Sequence, residues 1–364
     1  MNRASLSVHT RSFFSLIYWW PSIIGTFAFL IAHIFDIFRT KISQKRLFVF
    51  LAFCCYVFFI LLFKPPHLDF IRSNLNGLAF LIFYVLLPGN TVGNNLKSVF
   101  KVLILSSSLL FLLANAIGVD AFFSNNLGGA RFQSYMLEPS ILGIITVWSM
   151  VPFLREKSKN SLFYIFLGAV IVVSTASGSA YVLLMISVLL FVPTRYLPAI
   201  GIGLLAAGAI IYLSIREAFD LLVVSRFDRI LLGDYSNSVL LRFVAPWQAL
   251  GVLMENDVWS FVFGVGLGNM EPYLEANKMS YPFLVNYLGN FRPVLNNGIA
   301  VIIFSFGLLG FSMIFSLMAV MAYKMRRHKE AVLLWMTCFA TAHIFSPILA
   351  MAYLVTFTKS KKYV

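Results

Sequence analysis

Charge is what this chain has least of. Only 12% of its 364 residues are charged, 60% are hydrophobic, and the mean hydropathy is +0.87. A soluble domain carries about 25% charged residues. The shortfall excludes an ordinary soluble domain, because a chain of this length cannot hide so much apolar surface without lipid as a solvent. Acids are the scarcer sign, with 14 against 28 Lys and Arg. The resulting net charge of +14 has no soluble basic domain to concentrate it on nucleic acid, so it reads as a mark of cytoplasmic loops. Cysteine is nearly absent. Cys54, Cys55 and Cys338 all lie in apolar runs, which excludes a disulfide framework or a thiolate metal set. His9, His33, His67, His328 and His343 are scattered without ligand spacing. There is no Walker loop, no His-Glu-x-x-His and no Asp-x-Asp pair, Glu255-Asn-Asp257 in a polar turn being the nearest approach.

The apolar residues come in continuous blocks of about 15–25, not in alternating ten-residue strands, so the spanning elements are helices. Clear spans are Arg46–Phe63, Asn74–Pro88, Ser98–Gly118, Pro139–Leu154, Ser161–Ser177, Gly178–Val192, Tyr196–Ser214 and Asn297–Met321. Threaded alternately, they place four basic clusters on one face: Arg39–Arg46, Arg155–Lys159, Lys324–Glu330 and the tail lysines Lys359, Lys361 and Lys362. The positive-inside rule makes that face cytoplasmic. The opposite face collects 64–73, 119–138 and a long segment up to Asn296, which carries six basic residues against eight acidic ones. Phe13–Phe38 and Ala331–Phe357 are long for one span and short for two. Each is either a pair of half-helices, broken at Trp20-Pro21 and Ser346-Pro347, or a single tilted span. No small-residue cleavage site follows Phe13–Phe38, so it is expected to be an uncleaved anchor. The fold class expected is all-α integral membrane, a polytopic bundle of about 10–12 transmembrane helices. Residues 1–214 form an N-terminal helical part, 215–296 a large outer loop with short amphipathic helices, and 297–364 a C-terminal helical part with a basic tail. No internal repeat supports an inverted-repeat transporter.

Several outer residues carry chemistry. Glu138 stands just before Pro139 and Ser140 at a helix start, seven residues after Arg131. It is either a capping acid favoured by the helix dipole, with Arg131 as its ion partner, or a functional group sharing a cavity with Arg131. In the long loop, Leu240–Leu250 reads as an amphipathic helix with Arg242, and with Trp247 and the leucines facing the membrane. Gly264, Gly266 and Gly268, followed by Asn269, make either a tight turn or a backbone cradle for an anion. Among the outer basic residues arginine dominates, Lys64 and Lys278 being the lysines. Arginine offers a bidentate fork for phosphate oxygens, so an arginine-lined cavity fits a pyrophosphate or an acidic glycan. Pairing with the loop acids is the alternative.

In this order the elements resemble the bacterial O-antigen polymerase family, the Wzy type, and the related O-antigen ligases. The resemblance covers most of the chain. It rests on Arg131 with Glu138-Pro139-Ser140, on the Thr175–Ala180 turn, on Arg242 with Trp247, and on Gly264-x-Gly266-x-Gly268. Ser134 stands where the family often has Gly, and Gly178 where it has Arg. The ligases' His-x10-Gly-x-x-Gly spacing is kept by Asn296-Asn297, Gly307 and Gly310, but Asn296 replaces the His and cannot accept a proton as imidazole does. That favours polymerase over ligase.

The resemblance implies a metal- and nucleotide-independent glycosyltransferase of the inner membrane, acting on undecaprenyl-pyrophosphate-linked glycans at the periplasmic face. A chain-length regulator is an expected partner, no cofactor is implied, and a flippase is the alternative. Arg131, Glu138 and Arg242 are the catalytic candidates. Arg226, Arg229, Gly264, Gly266, Gly268, Asn269, Asn296 and Asn297 are the candidates for holding substrate.

Overall fold

The computed structural model describes residues 44–64, 93–117, 123–124, 131–132, 139–156, 158–175, 177–193, 195, 242, 244–284, 291, 293–324, 326–341, 352 and 355–356. Their elements, in chain order, are α1 (Gln44–Phe63), α2 (Gly93–Ile117), β1 (Phe123–Ser124), β2 (Arg131–Phe132), α3 (Pro139–Glu156), α4 (Lys159–Ser174) and α5 (Gly178–Phe191). Then follow α6 (Ala245–Asn256), α7 (Val258–Phe263), α8 (Met270–Ala276), a 3-10 turn (Lys278–Ser280), α9 (Gly298–Lys324) and α10 (His328–Ala340). Apart from the β1–β2 pair, in which Ser124 stands opposite Arg131, the described structure is all-α. One helical run in it, Gly298–Val320, is long and apolar enough to cross a membrane, and Cys54–Phe63, Asn160–Ser174 and Gly178–Phe191 are shorter apolar helices.

The chain divides into two compact units, one holding α2–α5 with the β pair and the other holding α1 with α6–α10. In the first, α3 is apolar on every side and is accordingly the central helix. Leu142, Val147, Trp148, Met150, Val151 and Phe153 are buried around its whole circumference. Its polar residues are silenced locally, Thr146 and Ser149 donating to the carbonyls of Leu142 and Ile145 at 2.8 Å. α3 meets the α4–α5 turn so closely that a Cβ on Gly143 would strike the methyl of Ala180 and come within 3.1 Å of Thr175 Oγ1. The ring helices turn apolar residues outward: Val102, Leu109 and Leu112 on α2, Phe163 and Phe166 on α4, Met185 and Leu189 on α5. Lys97 at the start of α2 pairs with Glu156 at the end of α3, which fixes the two helices antiparallel.

In the second unit α9 is broken. Gly307 takes φ 69°, ψ 176°, so the 27-residue element is two half-helices, 298–306 and 308–324. The later half packs on α10, with Trp335 against the rings of Phe311 and Phe315 at 5.8 and 4.9 Å. Yet Asn297, at the far end of the first half, donates from Nδ2 to the Phe339 carbonyl at 3.0 Å. Along α10, His328 to Phe339 rises about 17 Å, whereas a straight α9 would carry Asn297 about 40 Å from Lys324. The contact therefore requires the 298–306 half to turn across the end of α10, as the break at Gly307 permits.

The expected spans Arg46–Phe63, Ser98–Gly118, Pro139–Leu154, Ser161–Ser177 and Gly178–Val192 correspond to α1–α5 with ends shifted by a few residues. Asn297–Met321 corresponds to α9, corrected from one unbroken helix to a broken one. The helix after His328 ends at Ala340, with Thr341 extended, earlier than the Ser346-Pro347 break. Phe13–Phe38, Asn74–Pro88 and Tyr196–Ser214 lie outside the described residues.

Candidate functional site

The second unit holds most of the described candidates, the glycine run against the break in α9 and Arg242, Asn296 and Asn297 at the start of its first half. A break leaves the preceding carbonyls short of their helical donors, and here each of two finds a replacement from far along the chain. The Val265 N–H donates to the Phe304 carbonyl at 2.6 Å, and the Tyr56 hydroxyl of α1 donates to the Phe306 carbonyl. Tyr56 also lies 3.5 Å from the Phe263 carbonyl, at the end of α7. Gly264 and Gly307 approach backbone to backbone. A Cβ on Gly264 would lie 2.7 Å from Gly307 N, and one on Gly307 would lie 2.5 Å from Phe263 N and closer still to the Val262 carbonyl.

The three glycines of the loop all take positive φ: 89° at Gly264, 99° at Gly266 and 75° at Gly268. Only glycine adopts that region without strain. Of their two readings, the tight turn has the geometry. Gly264 N–H is bound by the Ser260 carbonyl at 2.8 Å, Val265 N–H by Phe304, and Asn269 N–H by the Gly266 carbonyl at 3.3 Å. These three donors are committed within the protein. Asn269 turns its Nδ2 back to the Val265 carbonyl at 3.4 Å.

Lys64, one residue past α1, closes the turn from outside. Its ammonium donates to Ser260 Oγ at 2.8 Å and to the Gly264 carbonyl at 2.9 Å. Burial lowers the Lys64 pKa, and the nearby Asp257 charge offsets part of that effect. Asp257 caps α7 by accepting from the Ser260 N–H at 2.9 Å. Burial pushes the Asp257 carboxyl up, but the two hydrogen bonds from Ser260, the charge of Lys64 and a bond from Tyr273 together hold it below its ordinary value. Tyr273 and Tyr281 have their pKa values raised, by burial first and then by Asp257 for Tyr273 and by Tyr273 for Tyr281. The buried Tyr281 hydroxyl stands beside Tyr273 without a partner at full hydrogen-bond geometry.

Asn297 is fully buried and its amide is saturated. Nδ2 donates to the carbonyls of Arg242 (3.1 Å) and Phe339 (3.0 Å), while Oδ1 accepts from the N–H groups of Ile299 (3.0 Å) and Ala300 (3.2 Å). It caps the 298–306 half-helix and ties the Arg242 backbone to the end of α10. Arg242 and Asn296 are half-buried beside it. The expected helix is found as α6, with Trp247 exposed as expected and Leu250 corrected to a buried position. Leu250 and Leu253 are buried in a core with Leu274, Leu295 and Phe304, while Trp247 points away, partly exposed, its ring 5.8 Å from that of Phe339. The leucines turn inward because α8 and the 298–306 half-helix offer them an apolar surface.

Gly264, Gly266 and Asn269 are thus brought to Lys64 and Gly307, and Asn297 to the Arg242 backbone. Arg131 lies in β2 of the other unit. Glu138, Arg226 and Arg229 lie outside the described residues. Sequence reasoning passed over Tyr56, Lys64 and Ser260. Asp257-x-x-Ser260 is a legible capping spacing, but the contacts of Tyr56 and Lys64 span about two hundred residues or more and leave no local signal. No family model matches the chain, and no curated protein matches it.

Proposed function

We propose that this chain is a multi-pass protein of the bacterial inner membrane that polymerises undecaprenyl-pyrophosphate-linked repeat units at the periplasmic face. The observation that carries the reading is the broken α9 with the Arg242 backbone fastened to it through Asn297. Non-helical backbone and half-helices within a bilayer occur where protein buries them around a site, and the first half-helix carries the Arg242 backbone at its start. The outward apolar faces of α1, α2, α4 and α5 favour lipid as their neighbour. The Lys97–Glu156 pair agrees with a threading that keeps the start of α2 and the end of α3 on the cytoplasmic side.

In this reading the hydroxyl oxygen of an incoming lipid-linked repeat attacks the anomeric carbon of the growing glycan. The bond from that carbon to the pyrophosphate oxygen breaks, and undecaprenyl pyrophosphate leaves with the electron pair. Arg131 and Arg242 offset its charge, Arg226 and Arg229 hold the phosphates or the glycan, and Glu138 takes the hydroxyl proton. The test is incubation of the purified protein with lipid-linked repeat units. A ladder of glycan lengths is expected, and movement of units across vesicles with no ladder would replace this reading with a flippase.

A further inference from the structure

The segment 257–268, which falls within the expected outer loop 215–296, meets α1 through Tyr56 and the residue that follows the helix, Lys64. Tyr56 is eight residues before Lys64, so it sits about 12 Å further down α1. The end of α7 lies within reach of the Tyr56 hydroxyl, which approaches the carbonyls of Phe263 and Phe306. Gly266 is back at the Lys64 level, where a Cβ on it would lie 2.9 Å from Lys64 Cβ and 3.3 Å from the Lys64 carbonyl. Between them the chain descends through α7, reverses at Gly264 against the α9 break, and climbs out.

At the reversal itself Gly264 and Val265 are buried and both their N–H groups are bound, as backbone away from water requires; Gly266 and Leu267 are buried beside them. The outer side of α7 is the reverse. Trp259 is 76% exposed and Val258 58%, with the Trp259 ring stacked on Phe263 at 5.7 Å. At the end of α1, Phe59, Leu62 and Phe63 are exposed apolar side chains as well. Lys64, the residue after α1, donates from its ammonium to Ser260 Oγ and to the Gly264 carbonyl and so fastens the hairpin to the end of α1.

We propose that residues 257–268 form a re-entrant hairpin dipping into the outer leaflet, its glycine tip docked on the α9 break and Val258 and Trp259 against lipid acyl chains. The proposal rests on the membrane reading of α1 but not on the polymerase reading. It is tested by nitroxide labels in lipid bilayers, on the full chain carrying C54A and C55A with the buried Cys338 retained. Labels at W259C and V258C are compared with F58C on the lipid face of α1 and with E275C on the exposed side of α8. Oxygen accessibility should exceed that of a water-soluble nickel quencher at 258 and 259 as it does at 58, with the opposite order at 275. Aqueous values at 258 and 259 with a lipid value at 58 would overturn the hairpin and leave the membrane reading standing. Aqueous values at all four would overturn both. Should the cysteine variants misfold, brominated lipids should quench the wild-type tryptophan emission more than that of W259F, and equal quenching would overturn the proposal.

Discussion

Replacing Gly307 with alanine attacks the break directly. Gly307 at φ 69°, ψ 176° lies in a region essentially reserved for glycine, where a side chain costs about 1–3 kcal/mol. The new methyl would also lie 2.5 Å from Phe263 N and nearer still to the Val262 carbonyl, backbone atoms that cannot swing aside. α7 must then withdraw, breaking the 2.6 Å bond from Val265 to the Phe304 carbonyl and stranding a buried carbonyl, for about 1–3 kcal/mol more. The total is about 2–6 kcal/mol. Gly251 is the control, lying inside α6 with nothing within 4 Å of the place a methyl would take. G251A should be neutral or stabilising by up to about 1 kcal/mol. The assay is the apparent melting temperature of purified protein at one fixed scan rate, because unfolding of such a chain need not be reversible. G307A should melt well below wild type while G251A melts at or above it. If G307A melts with wild type, α9 can run straight and the interlock of Gly264 with Gly307 is not what sets this region.

Three further outcomes follow from the same contacts. Y56F removes the hydroxyl from the Phe306 carbonyl and should lower stability by about 1–3 kcal/mol; an unchanged melting temperature would show that the carbonyl needs no donor. N297A deletes four hydrogen bonds and should cost about 2–4 kcal/mol at about 1 kcal/mol each or less, whereas intact stability with weakened substrate binding would make Asn297 a ligand residue. Asp257 has a folded pKa below its ordinary 3.8, so as pH falls the unfolded chain takes up the proton first. Its stabilisation is present above that value and lost as pH falls through it towards the lower folded pKa. The gap in melting temperature between wild type and D257N should be constant above about pH 5 and close below 3.8; a gap independent of pH would remove the charge of Asp257 from the account.

The helices of both units were legible because their signals are local. α1, α3 and α5 begin and end where apolar runs meet Lys, Arg, Pro or Gly, and Pro139 opens α3 as its place in the sequence predicts. The break at Gly307 was not legible. Phe304 to Leu309 is apolar on both sides of it, and what holds it open is a pair of donors from Tyr56 and Val265, remote in sequence. Trp247 and its neighbouring leucines show a second limit. Amphipathic spacing identifies a helix but not which face meets protein, and here the leucines met a core formed by α8 and the first half of α9. The glycine run was legible as a turn of positive φ, and its destination against Gly307 was not. Among the catalytic candidates, the described residues show Arg131 in β2 opposite Ser124, and Arg242 half-buried with its backbone anchored by Asn297.

The most direct measurement of the central claim counts products. Purified protein is supplied with lipid-linked repeat units in the presence of EDTA, and free undecaprenyl pyrophosphate is compared with new glycosidic bonds. One undecaprenyl pyrophosphate should appear for each bond formed, and R242A should form neither while melting as wild type does. Repeat units that cross the bilayer with no undecaprenyl pyrophosphate released, or an R242A protein of full activity, would contradict it.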